Sequence, residues 1–172
     1  MISLFLGTCS LKRNQLLDII SKRSKGYTVT FDIKPISVVP TWTNILHFTI
    51  TGNRGNFGDR APGVWFLKNS TRLYICSDFH ASANKCSVSK SPLKLGEYTS
   101  VEIKQYDLGY SYWIYRSKIN GIFNHNWANF KPRCFMDVKL YASNPWYSAA
   151  DAVIKNLKYT DTISGKSALY CN

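Results

Sequence analysis

Glutamate is almost missing from this chain: Glu97 and Glu102 are the only two among 172 residues. Glycan hydrolysis needs two carboxyl groups facing one another across the scissile bond. Five positions apart in one strand, these two would face opposite sides, so a hydrolase built on them is excluded. No apolar run approaches the ~20 residues of a membrane-spanning helix. The opening MISLFLG is too short, and lacks the basic flank, for a secretion signal. The GxSxG, HExxH, GxxxxGK[ST] and GxGxxG patterns are all missing, and His47, His80 and His125 stand isolated. No CxxC pair occurs, which removes the usual zinc-site spacing. Repeats, low-complexity tracts and linkers are lacking too. The chain therefore reads as one domain, 1–172, without catalysis.

Present in quantity are aromatic residues (11 Tyr, 9 Phe, 5 Trp) and positive charge, with 22 Lys and Arg against 10 Asp and Glu, a net +12. Rings and β-branched residues suit pleated, half-buried surfaces. A charge of that size favours encounter with anionic partners. The densest basic run is Lys22, Arg23 and Lys25, with Lys12 and Arg13 upstream.

Short runs of period two alternate with turn clusters. In YTVTFDIKP (27–35), Tyr27, Val29, Phe31 and Ile33 alternate with Thr28, Thr30, Asp32 and Lys34. ILHFTIT (45–51), GVWFLK (63–68), TRLYICS (71–77), TSVEIKQY (99–106), YSYWIYRSKING (110–121), MDVKLYAS (136–143) and AVIKNLKYT (152–160) read the same way. Asn69-Ser70 and Asn120-Gly121 mark hairpin turns. NQLLDIISKRS (14–24) fits a helical face or a strand; its β-branched Ile19-Ile20 pair and lack of a cap favour strand. Eight or nine strands without a helical rhythm predict an all-β, antiparallel jelly-roll β-sandwich.

Five cysteines suggest staples. Cys76 ends a strand and Cys86 follows a polar loop of nine residues; a bridge there would contribute roughly 2–3 kcal/mol. Cys9 and Cys171 lie near the two ends, in position to join them, which leaves Cys134 as the odd thiol. Asn69-Ser70-Thr71 is a glycosylation sequon. Sequon and cysteines together point to a secreted or cell-surface setting.

Candidate binding residues fall in loops. Between two strand-like runs, the segment TGNRGNFGDRAP presents Asn53, Asn56, Asp59 and Arg60. Asn53, Asn56 and Asp59 could offer oxygens to Ca²⁺, which needs ~6–8 of them, so backbone or ligand would supply the rest; alternatively Asp59 pairs with a nearby amide or with Arg60. Trp146 and Tyr147 follow Asn144-Pro145 in a turn, Trp127 sits among amides in NHNWANF, and Trp42 lies in VVPTWTN. Rings so placed can stack on sugar faces, or else plug the ends of a sandwich.

The runs YTVTFDIKP, ILHFT with TGNRGNFGDRAPGVWF, STRLYIC and VKLYASNPWYSAADAVIKNLKY resemble a family of invertebrate extracellular recognition proteins with a concanavalin A-like, laminin-G-like jelly-roll domain. The resemblance covers about residues 14–160. It implies a non-catalytic extracellular module, with glycans, glycoproteins or other proteins as partners and calcium frequent among relatives; a bridged Cys76–Cys86 loop fits it. Charge adds sulphated or sialylated glycans to the expectation. The alternative is a structural or adhesive protein that self-associates. Nucleic acid is not an expected partner, because no recognition motif accompanies the charge; action on membranes or nucleic acid would rest on charge alone.

Overall fold

The structure, a computed structural model, describes residues 7–161. Thirteen strands and no helix occur among them: β1 (Thr8–Ser10), β2 (Leu16–Arg23), β3 (Tyr27–Pro35), β4 (Thr43–Thr49), β5 (Gly63–Phe66), β6 (Leu73–Phe79), β7 (Ser82–Val88), β8 (Thr99–Asp107), β9 (Trp113–Ile119), β10 (Ile122–Ala128), β11 (Phe135–Tyr141), β12 (Ser148–Ala149) and β13 (Ala152–Asp161). A first sheet runs β1-β13-β3-β8-β9-β10 and a second runs β2-β11-β4-β5-β6-β7. All these pairs are antiparallel; only β12, which lies beside β4, is parallel. The chain is thus an all-β jelly-roll sandwich, and the ambiguous segment 14–24 contributes β2.

The alternation seen in sequence is the alternation of burial. Tyr27, Val29, Phe31 and Ile33 on β3 are fully or almost fully buried and face Val101 and Ile103 of β8 on the same side. From the second sheet, Ile45, Leu46, Phe48, Val64, Phe66 and Ile75 close the same core. On β13 the pattern survives through a bulge: the register slips between Lys155 and Lys158, with Asn156 left-handed at φ 53°. One inserted residue of that kind lets Leu157 and Tyr159 return inward after Ile154. Asn120 and Gly121 both take positive φ, 48° and 76°, and join β9 to β10 in a two-residue turn.

β4 behaves differently, since all seven of its residues are buried. It is central in its sheet, and chain folds over its outer side as well. Ile50 N–H donates to Gly58 O and Ala61 N–H to Phe48 O. From the other side, Ser143 N–H donates to Ile45 O and Ala150 N–H to Asn44 O. The two loops so anchored carry most of the candidate residues.

Four expectations need correction. The stretch before Cys86 is not a loop: β6 continues to Phe79 and returns as β7 from Ser82, so that Cys76 and Cys86 sit directly opposite each other and are joined by a disulfide. Cys9 is not half of a staple with Cys171. It carries a free thiol on β1, packed against the core, and its sulfur accepts a hydrogen bond from Gln15 Nε2 at 3.1 Å. Cys134, read as the odd thiol, is disulfide-bonded, and Cys171 lies outside the described residues. Trp127, finally, is not on a turn but in β10.

Candidate functional site

Asp59 organises the first loop. It is 1% exposed, and its Oδ2 accepts the backbone N–H of Arg54 (2.7 Å) and of Asn56 (2.9 Å), while Oδ1 accepts the Thr51 hydroxyl. Burial by itself would raise its pKa. The Thr51 hydroxyl and the amides of Asn56, Arg54 and Gly55 outweigh that and hold the carboxyl below its ordinary value. Gly58 allows the fold-back: φ is 89°, and a Cβ there would come within 2.5 Å of the Ile50 side chain. Asp59 therefore pairs with backbone amides and does not pair with Arg60. Its oxygens face N–H donors, and Asn53 Oδ1 accepts from Arg60 Nε (3.1 Å). The Asp59 and Asn53 oxygens are thus engaged by N–H and O–H donors, and the described residues hold no group of three His, Cys, Asp or Glu able to bind a metal.

Asn144 organises the second loop. Its Oδ1 accepts the N–H of Trp146 (3.0 Å) and of Tyr147 (2.9 Å), so its Nδ2 points to His47 Nδ1 at 2.7 Å. The imidazole must accept there, which places its proton on Nε2, and this N–H donates to Asp59 O at 2.5 Å. His47 thus bridges the two loops as a neutral ring. Burial lowers its pKa from 6.5 to about 4, the carbonyl of Asp59 opposing and Arg60 reinforcing that shift. Asn44 adds a further tie, its Oδ1 accepting Asn144 N–H at 2.7 Å.

The bridged loops frame a cleft of about 190 Å³ on the outer face of the second sheet, lined by Trp42, Arg60, Trp65, Tyr74 and Tyr147. Along β5, Val64 and Phe66 enter the core, so Trp65 lies on the opposite face. Gly63 makes room for it: a Cβ at 63 would stand 2.2 Å from the indole. Tyr147 and Tyr74 meet Trp65 edge-on at 5.9 and 6.4 Å, and Trp42 meets Tyr74 at 5.0 Å.

Arg60 lies over the Trp65 ring at 4.8 Å, with Nε on Asn53 and Nη1 on Asn84 Oδ1 at 2.6 Å. Its Nη2 has no protein partner among the described residues. Trp65 Nε1 is buried with no acceptor. The cleft therefore offers ring faces and a guanidinium with a free donor, a lining suited to an acceptor-rich or anionic ligand with an apolar side.

Of the residues nominated by sequence, Arg60 and Tyr147 line this cleft, Asn53 positions Arg60, and Asp59 shapes the loop. Asn56 is exposed and contributes backbone hydrogen bonds to Asp59. Trp146, 45% exposed, packs edge-on against His47 at 5.6 Å and Tyr141 at 6.2 Å, outside the cleft lining. Trp127 belongs elsewhere: it stacks on His125 at 4.1 Å, with Lys85 Nζ 4.4 Å from its ring. Sequence reading missed Trp65 and Tyr74. The available signal was the glycine two residues before Trp65, which leaves a gap on the tryptophan's own face.

No protein-family model matches the chain, and no curated protein is similar to it in sequence. Solved structures share its fold. A heptameric SAP-like pentraxin from Limulus polyphemus superposes with a TM-score of 0.61 at 14% identity, over 92% of this chain and 77% of that one. An endo-β-1,4-glucuronan lyase from the fungus Trichoderma reesei gives 0.54 at 12%, over 90% and 79%. The carbohydrate-binding module CBM66 from Bacillus subtilis gives 0.50 at 12%, over 94% and 99%. At such identities the likeness is one of fold.

Proposed function

We propose that this protein is a non-catalytic, extracellular glycan-recognition module, and that the cleft around Arg60 holds a sugar bearing a carboxylate or sulphate. The observation that carries this reading is the immobilised guanidinium: Arg60 is fixed by two amides and a ring, yet none of these neutralises it. Trp42 and Tyr147 supply the apolar contact a pyranose face needs. The Cys76–Cys86 disulfide fits an oxidising compartment. The carbohydrate-binding module among the structural neighbours, and the sequence's resemblance to invertebrate recognition domains, support the same reading.

A second reading, self-association or adhesion, draws on one cluster. Leu108, Tyr110, Tyr112 and Phe130 are exposed near one end, with the Tyr112 and Phe130 rings 6.4 Å apart. A glycan array probed at physiological and at high salt separates the two. Recognition predicts selective signals that survive salt and fall about tenfold or more in Trp42→Ala and Arg60→Gln chains. A silent array, together with concentration-dependent oligomers in sedimentation, would favour adhesion.

A further inference from the structure

The outer face of the first sheet is a second, separate surface. The registers place Lys155 and Lys158 (β13), Lys34 (β3), Lys104 (β8), and Arg116 and Lys118 (β9) on one side, with Asp32 and Glu102 as its two carboxylates. Glu102 answers Arg116 at 3.5 Å, and Asp32 accepts a hydrogen bond from Asn156 at 2.7 Å. None of the five lysines forms an ion pair among the described residues.

Rings position several of these cations. Tyr98 lies between Lys155 (3.8 Å) and Lys34 (5.0 Å), and Tyr106 between Arg116 (4.9 Å) and Lys104 (5.2 Å). Phe123 takes Lys118 at 5.0 Å and Arg116 at 5.7 Å. A cation–π contact restricts a long side chain without cancelling its charge. At ~4.8 Å between strands, the cations spread roughly 15 Å from β13 to β9. Among them lies a depression of about 460 Å³ lined by Thr30, Asp32, Ser100, Glu102, Lys118 and Asn156, which are partners for hydroxyl groups.

We infer that this face binds a linear anionic polysaccharide, its sulphates or carboxylates on the ring-propped lysines and its hydroxyls over the central depression. Charge complementarity selects a polyanion. A single-stranded nucleic acid would need free ring faces for its bases, and here cations already cover them. The disulfide-bonded fold also suits an oxidising compartment, where acidic polysaccharides are the abundant polyanions.

The probes are heparin, polygalacturonate and single-stranded DNA, titrated against the full chain by calorimetry at several salt concentrations. A triple variant, Lys104→Gln with Lys118→Gln and Lys155→Gln, leaves Arg116 and its partners in place. Its control removes the same charge elsewhere: Lys12→Gln, Lys68→Gln and Lys131→Gln, three exposed lysines off this face. Thermal melts establish that both variants fold. The expected result is heparin or polygalacturonate binding about tenfold weaker in the first triple, and within about twofold of wild type in the control. The same titrations are made in a Trp42→Ala background, so that the loss caused by the three lysines is read apart from any binding of these polysaccharides in the cleft. Equal loss in both triples, or loss in neither, overturns the proposal. DNA binding as tight as that of the polysaccharides, with the same dependence on the three lysines, overturns the choice of polysaccharide.

Discussion

On the second sheet, one guanidinium is locked by amides in a cleft whose walls are rings; on the first, five lysines and an arginine stand on an open face whose rings serve as props. Both faces combine aromatic groups with positive charge, yet the roles are exchanged. In the cleft, rings would touch the ligand and Arg60 would orient it, an arrangement that selects by shape. On the open face the charge would touch the ligand, and the rings only reduce the disorder of the lysines, an arrangement that selects by charge density. What differs physically is enclosure. Two loops tied through neutral His47 fold over the second sheet, whereas no such cover lies on the outer face of the first among the described residues.

Acid should separate the faces most sharply. His47 is held at about 4 in the folded chain, below the ordinary 6.5, so the unfolded chain takes up the proton first as pH falls. Its contribution to stability is complete above about pH 6.5 and is lost as pH drops towards 4, about 3 kcal/mol in all. His125, lowered to about 4 by burial and by Lys85, acts in the same direction, while buried Asp78, raised above its usual range, acts oppositely. Both remain in a His47→Gln chain. Urea denaturation at pH 7 and pH 4 should therefore show the stability advantage of wild type over that variant shrinking by about 3 kcal/mol. A constant difference would mean that His47 titrates as an exposed histidine does. Cleft binding should fail on acidification before sulphate binding on the first sheet does.

Asp59→Ala comes next in size. Removing the acceptor of two backbone amides and one hydroxyl should cost about 2 kcal/mol at pH 7, read as a shift of the urea midpoint. Glycan binding in the cleft should fall with it, because the same loop carries Arg60, while the part of heparin binding that depends on Lys104, Lys118 and Lys155 stays. Parallel loss of both would show that the faces are not independent. Smallest of all, Lys118→Gln should change stability by less than about 0.5 kcal/mol, since its side chain forms no ion pair among the described residues and lies over the Phe123 ring. A larger loss would make that lysine structural and weaken the contrast between the two surfaces.

Much of the architecture was legible because strands announce themselves locally. The inward set Tyr27, Val29, Phe31 and Ile33 and the Asn120-Gly121 turn were readable within ten residues. β7 was not. SANKCSV has no apolar alternation, because it is an edge strand whose residues are mostly half-buried, and its pairing is fixed by β6 and the disulfide. Charge density along the chain misled as well. Arg23, in the densest basic run, is wholly buried and paired with Asp78 at 3.1 Å. The basic face instead gathers lysines from four strands, which no sequence window contains. Of the residues nominated by loop composition, Arg60 and Tyr147 line the cleft, whereas Trp127, whose neighbouring amides suggested a turn, lies in β10.

By itself, then, the sequence determined an all-β sandwich, since alternation, turn residues and the scarcity of helical patterns act between near neighbours. Only the tertiary structure decided what its surfaces present. Trp42, Arg60, Trp65, Tyr74 and Tyr147 meet because His47 joins two loops far apart in sequence through single hydrogen bonds to Asp59 and Asn144. A residue's exposure depends on what folds over it, and that cover comes from distant parts of the chain.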